Sequence, residues 1–271
     1  MESGRIKTGF VMGPKLSRSD ALGLGGLGLA GFLGLWGALS FFGIVPVEFL
    51  PSPFAVGSRF IDLFAEPFAG FTLPQHLGSS LLRYLYGVLL AACIGIPLGL
   101  AMGWFHLLDD IVTPIFNGLR FIAPIAWVPF AALWFGTGIG GPILIIFAGA
   151  FPPCLINAYR GARFVEPRLV EAARMLGTNH RRMLTEILLP ASVPSIVAGL
   201  RVAAGLGWQS LVGAELIVAS AGVGFMMVQA QASVQTTTVM AGMVAIGLTG
   251  LAIDVALRQG ERWLHNRLGL D

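Results

Sequence analysis

The feature that most limits how this chain can fold is a series of long apolar runs separated by short charged segments. The runs are Ala21 to Val45, Ser79 to Phe105, Ile111 to Phe135, Ile143 to Tyr159, Ser192 to Val218 and Val239 to Leu257. Each is close to the roughly 20 residues that a helix needs to cross a bilayer. Inside hydrocarbon every backbone N–H and C=O must find its partner within the protein, so such runs fold as helices. Only 11% of the 271 residues are charged and the mean hydropathy is +0.79, whereas soluble domains carry roughly 25% charge. The expectation is an all-α polytopic membrane protein with six transmembrane helices.

Basic residues set the orientation of such a chain. Residues 1–20 hold Arg5, Lys7, Lys15 and Arg18 and read as a basic cytoplasmic tail. The run 21–45 is too long for a signal-peptide core, and no small-x-small cleavage site follows it, so it reads as an uncleaved first span. The segment 160–190 carries Arg160, Arg163, Arg168, Arg174, Arg181 and Arg182, and the tail 259–271 follows Arg258 with Arg262 and Arg267. Segment 46–76 has Arg59 alone, against Glu48, Asp62 and Glu66, and belongs outside. Within it Phe54, Val56, Phe60, Ile61, Leu63 and Phe64 suggest a short amphipathic helix. Residues 77–258 then form a five-span core, with both termini on the cytoplasmic side. The net charge of +3 serves orientation rather than nucleic-acid binding. Cys93 and Cys154 lie in apolar runs and read as packing residues, with no metal site implied.

Several spans carry further marks. Gly87, Ala91, Gly95, Gly99 and Gly103 recur every four residues, one stripe down a helix. In lipid no hydrophobic force joins helices, so small residues that admit close backbone approach do so. Ser195, Gly199, Ala203 and Gly207 repeat the pattern in the fifth span. The third span, after an acidic turn at His106 to Asp110, holds Pro114, Arg120, Pro124 and Pro129. Freed backbone groups at prolines are tolerated where a wet cavity satisfies them, which makes this span a candidate lining of a pathway. Gly136 to Pro142 reads as a tight turn, and Pro152-Pro153 as an interruption of the fourth span. Ala219 to Thr237 either re-enters the membrane or lies on its outer face.

Charges within spans suggest function by default, and each has a plainer alternative. Arg83 is expected to snorkel to the outer interface. Asp254 is expected to pair with Arg258 one turn on. Glu215 serves either a helix contact or gating. Arg120 attracts an oxyanion, sits at the inner interface, or pairs with Asp109 or Asp110. Trp127, Trp134, Trp208 and Gln209 line the pathway or simply pack.

The longest polar stretch, Glu171 to Pro190, lies between the fourth and fifth spans. Glu166-Pro167 suits a helix start. Leu169, Ala172, Ala173 and Leu176 make a small apolar face, and Gly177 ends the helix. Thr178 or Asn179 caps a second helix, with Met183, Leu184, Ile187 and Leu188 on one face and Pro190 closing it. Two readings are open: a docking knob, or a solvated loop whose arginines only set orientation.

Glu171-Ala172-Ala173, three residues, Gly177, nine residues and then Ile187-x-Leu189-Pro190 resembles the EAA loop of inner-membrane subunits of bacterial ABC importers at every signature position. LPSP at Leu50–Pro53, IPLGLAMG at Ile96–Gly103, APIAWVPFAALWFGTG at Ala123–Gly138 and GAELIVASAGVGFMM at Gly213–Met227 look like the nitrate/sulfonate/taurine/bicarbonate permeases. The resemblance runs from about Leu50 to the C-terminal end.

The resemblance implies a type I ABC importer permease fold and a pathway for a small anion or organic sulfonate. Its partners would be a second copy of the permease or a similar subunit, two ATPase subunits on the cytoplasmic face, and a periplasmic or lipid-anchored binding protein. ATP and Mg would sit on the ATPase, and this chain would hold no cofactor. The coupling set would be Glu171, Ala172, Ala173, Met175, Leu176, Gly177, Ile187, Leu189 and Pro190. Pathway candidates are Arg120, Pro124, Trp127, Pro129, Trp208, Gln209 and Glu215. The sequence has no G-x-x-x-x-G-K-[ST], so any ATPase must be another chain. The alternative is a self-sufficient secondary transporter or channel. A membrane enzyme finds no support, since there is no H-E-x-x-H or G-x-S-x-G and the four histidines are scattered.

Overall fold

The computed structural model describes residues 18–268, apart from positions 44, 47 and 137. Arg5, Lys7 and Lys15 of the amino tail lie outside the described residues, as does the end of the carboxyl tail. Two compact units separate, Met1–Ala55 and Val56–Asp271. In the first, α1 (Arg18–Phe41) is followed by turns, and Trp36 Nε1 donates to Pro51 O at 3.0 Å. The helix α2 (Pro53–Ala65) leads into the second unit. Val56 and Leu63 are its buried positions, while Phe54 and Ile61 stay exposed.

The second unit is built on α3 (Leu73–Trp104), α6 (Gly140–Arg163), α9 (Leu189–Val218) and α11 (Thr236–Leu268). Gln75 Oε1 accepts from Thr72 N at 2.9 Å and fixes the start of α3 six residues before the expected span. The stripe Gly87, Ala91, Gly95, Gly99 and Gly103 is buried, and it faces α6. A Cβ on Gly87 would lie 2.6 Å from Ile146 Cβ, one on Gly95 3.0 Å from Cys154 Cβ, and one on Gly99 2.9 Å from Ala158 Cβ. The other side of α6 meets α9. A Cβ on Gly161 would lie 3.0 Å from Ser192 Cβ, and one on Gly199 would lie 2.5 Å from Asn157 Cβ. The helix α6 is thus the middle layer, and the other two lie as close as their backbones allow.

Among the described residues five helices are long and apolar enough to cross a membrane, and a sixth candidate is broken. The expected third span is two helices, α4 (His106–Leu119) and α5 (Val128–Phe135), joined by a 3-10 turn at Pro124–Trp127 and bent by 87°. Proline explains the break. It lacks an N–H and drives the residue before it into extended backbone, and Ala123 has φ −56° and ψ 139°. Pro124 and Pro129 each stand in the first turn of a new helix. The expected acidic turn at His106 is instead the start of α4. The expected interruption at Pro152-Pro153 is also absent, and α6 runs unbroken through both. Tight packing on two sides holds the helix, and a bundle tolerates the freed carbonyls.

In the polar stretch α7 (Pro167–Met175) forms where expected, and Gly177 takes φ +71°. Thr178 N donates to Ala173 O and Gly177 N to Arg174 O, the paired bonds of a Schellman cap. Asn179 Oδ1 accepts from Arg182 N at 2.9 Å and caps the next helix. Pro190 does not close that helix. Instead α8 (His180–Arg182) passes through a π-helical segment, Met183–Leu188, straight into α9. Leu189 N bonds to Leu184 O, five residues back. The wider turn gives room where the Pro190 ring would press on the carbonyl four residues earlier. Beyond α9, α10 (Val223–Ala232) is too short to span and turns back through Ser233–Gln235 into α11.

Replacing Gly99 by leucine is expected to lower the melting temperature of detergent-purified protein and its folded yield, since overpacking costs about 1–3 kcal/mol or more. Gly118→Ala, where a Cβ meets nothing within 4 Å, is the control and should melt as wild type. Equal melting of both variants would remove the close α3–α6 contact as the basis of stability.

Candidate functional site

Three places in the second unit hold groups that a packed bundle does not require. The first is the hairpin between α6 and α9. On α7, Ala173 is buried toward the π segment, where Met183 and Leu188 are also buried. The rest of the expected apolar face, Leu169, Ala172 and Leu176, points away from the protein, and so does Met175, which is not part of that face. Leu169 is 51% exposed, Met175 87% and Leu176 86%. Glu171, Ala172 and Gly177 are exposed beside them, Ile187 is half-buried, and Leu189 and Pro190 lie exposed where α9 begins. A nine-residue helix, capped at its end by Gly177 and showing apolar side chains outward, has the chemistry of a contact surface.

The second place is a cavity of about 370 Å³ between the 3-10 turn, α6 and α9. Arg120, Pro124, Gln209 and Ser210 line it, together with Ala148, Gly149, Pro152 and Pro153. The two prolines have no N–H, so the carbonyls of Ala148 and Gly149 lack their usual helical donors. Arg120 also borders a neighbouring apolar cavity of about 290 Å³ with Trp127 and Phe116. Its guanidinium lies 4.8 Å from the Phe121 ring and 5.9 Å from that of Phe116. It pairs with no carboxylate among the described residues. Asp109 is occupied elsewhere, accepting from Tyr159 Oη at 2.9 Å and Thr113 Oγ1 at 2.5 Å.

The third place is a buried charge cage around Glu215, whose residue is 2% exposed. Ser80 Oγ lies 2.8 Å from each carboxylate oxygen, Arg83 Nη1 donates at 3.0 Å and Gly224 N at 3.0 Å. Arg83 also donates to Ala221 O at 2.5 Å. His76 accepts from Gly222 N at 3.2 Å and, through Nε2, donates to Phe68 O at 3.0 Å. Gly222 has φ +117°, and a Cβ there would collide with the Glu215 carboxylate. Arg83 is therefore not a snorkelling residue. It is 6% exposed and ties α3 to α9 and to the loop before α10.

Residues 95–269 match the family described as the binding-protein-dependent transport system inner membrane component. The chain belongs to that family. It is an ABC transporter permease of binding-protein-dependent import, a membrane protein of several spans. The taurine transport system permease protein of Escherichia coli is 34% identical over 250 residues, which is 92% of this chain and 90% of that one. The bicarbonate transport system permease protein of Synechococcus elongatus is 33% identical over 245 residues, covering 88% and 87%.

The permease brings Arg120, Pro124 and Gln209 to one cavity and leaves Trp127 at its neighbour. Pro129 is exposed at the start of α5. Trp208 is packed rather than facing a cavity: its Nε1 donates to Ile246 O at 3.3 Å, and its ring meets that of Tyr84 edge-on at 5.4 Å. Asp254 takes Arg258, as its spacing suggests, at 2.5 Å, and also Arg201 at 3.4 Å. Ser80, His76, Gly222 and Gly224 escaped the sequence reading. The available signal was that Arg83 and Glu215, of opposite sign, are charges within long apolar runs.

Removing one member of a buried pair leaves the other unpaired, at about 3–5 kcal/mol. Arg83→Met is expected to destabilise the permease on that scale, and adding Glu215→Gln should recover much of the loss. Melting curves of the two single variants and the double test this, and purely additive losses would rule out the pairing.

Proposed function

We propose that the permease forms the membrane pathway of an ATP-driven importer for a small anion or organic sulfonate, with the organic sulfonate favoured. Two copies, or one copy and a similar subunit, enclose the pathway. Two ATPase subunits, carrying the ATP and Mg, seat α7 from the cytoplasm, and a binding protein delivers solute on the outer side. The basic segment 160–190 and the arginines at the carboxyl end favour a cytoplasmic location for both termini and the hairpin.

The observation that carries this reading is the outward apolar face of α7. Leu169, Met175 and Leu176 would be costly to leave in water on a short helix unless another protein covers them. The cap at Gly177 gives that helix a fixed direction. The continuous run from α8 through the π segment into α9 supplies a rigid path from contact to membrane. Movement imposed on α7 would be passed to α9, which borders the cavity with Arg120.

The cavity supports the substrate class. Arg120 offers a fork of N–H donors to an oxyanion, and the amide of Gln209 offers donor and acceptor. The Ala148 and Gly149 carbonyls offer acceptors to an ammonium group. That set suits an amino-sulfonate such as taurine better than a bare inorganic anion.

The test is uptake by proteoliposomes holding the permease with its co-purified ATPase and binding protein. Leu176→Asp and Gly177→Val are expected to abolish ATP-driven uptake while membrane insertion and melting stay near wild type. Normal uptake by both would overturn the coupling reading, and uptake without any ATPase would favour a secondary transporter. Arg120→Gln is expected to slow uptake of taurine about tenfold or more, as loss of a charged hydrogen bond worth 1.5–3 kcal/mol implies. An unchanged rate would take the substrate contact away from this cavity.

A further inference from the structure

A separate cavity, of about 590 Å³, opens where α3 ends and α7 is rooted. Trp104, His106, Arg163, Arg174 and Leu188 are among its lining residues, and none of the lining is acidic. Arg163 Nη1 donates to His106 Nε2 at 2.9 Å. Arg174, in the last turn of α7, pairs with no carboxylate among the described residues. Asp109, one turn along α4, is taken by Tyr159 and Thr113. Two guanidinium groups thus line one space that no acidic side chain lines.

The depth of this space is set by the helices around it. On α3 no charged side chain occurs from Tyr84 through Trp104, about the 30 Å of a hydrocarbon core at 1.5 Å per residue. On α6 the first cations after the apolar run are Arg160 and Arg163. Trp104, His106 and Arg163 therefore stand at the level of the lipid headgroups, and tryptophan is a common residue there. Phe105 is 50% exposed and Leu107 75%, so the rim of the cavity suits glycerol and the start of an acyl chain.

We propose that this cavity binds the phosphate of an anionic phospholipid from the cytoplasmic leaflet, held between Arg163 and Arg174 above His106. A guanidinium binds phosphate through two parallel N–H bonds, and basic pockets between helix ends on the cytoplasmic side suit such headgroups. The bound lipid joins the α3–α4 corner to α7, and so braces the root of the hairpin against the membrane. The inference rests on the inward orientation of α7, but not on the coupling role given to it above.

The full-length permease, purified in detergent, is to be incubated with phosphatidylglycerol, phosphatidylcholine or inorganic phosphate and examined by native mass spectrometry and by melting. Wild type is expected to retain phosphatidylglycerol and melt higher with it, while phosphatidylcholine has no effect. Retention should fall about fivefold for each arginine changed to glutamine, the scale of one basic contact to an anionic surface. R163K/R174K should keep most of it, which separates lost charge from lost folding. Equal retention by R163Q/R174Q and wild type would overturn the proposal. Displacement of the lipid by low inorganic phosphate would make this a free-anion site. Loss of the lipid when an ATPase co-purifies would give the cavity to that protein. Neither readout uses ATP or transport, so failure here and failure of the coupling reading are distinguishable.

Discussion

Apolar side chains gain nothing by leaving lipid for a protein interior of the same polarity, so this bundle is held by contact distance. Five small positions on α3 lie against α6, and Gly161, Gly149 and Gly199 bring α6 and α9 together. Dispersion between atoms falls off within fractions of an ångström, which is why a single added methyl at these seams matters. The arrangement fixes α6 as the middle layer. The cavity beside Arg120 lies on the same helix, where Pro152 and Pro153 leave carbonyls without donors. The close packing and the cavity are therefore two sides of one element.

Charge does what packing cannot, which is to fix register. At one end of α9, Glu215 is tied to α3 and to the loop before α10. Toward the other end, Arg201 reaches Asp254 and Glu261 of α11, each at 3.4 Å. Ion pairs in a low-dielectric interior are worth keeping only where their remaining hydrogen bonds are met. The Glu215 carboxylate meets that condition through Ser80 and Gly224, while Arg83 Nε stays buried without a partner among the described residues. The helix that continues from the α7–α8 hairpin is thus pinned by opposite charges, Glu215 near its end and Arg201 near its middle, to two different neighbours.

The parts of the fold written in local chemistry were legible in the sequence. The glycine stripe, the start of α7 at Pro167, the cap at Gly177 and the Asp254–Arg258 pair each depend on residues within a turn or two. Prolines were harder to read, because their effect depends on what surrounds them. Pro124 broke a helix, Pro152 and Pro153 did not, and Pro190 widened one. Arg83 was misread because its partner is 132 residues away. At the candidate sites, the EAA pattern pointed to the hairpin, whereas the grouping of Arg120 with Gln209 needed the bend between α4 and α5. Trp208 shows the limit of residue type as a guide, since an aromatic in a span packs as readily as it lines a path.

The π segment at Met183–Leu188 carries one residue more than an α-helix would use for the same rise. Each residue of an α-helix turns the chain by about 100°, so this surplus sets the azimuth of everything beyond it. Gly199, Ala203 and Gly207 meet their neighbours, and Gln209 meets the cavity, only at that rotation. The hairpin and the cavity-lining part of α9 are therefore phased like two wheels on one axle, with Pro190 as the key that fixes their angle. Losing a residue from this segment would leave every helix intact and turn the far end of α9 away from both neighbours.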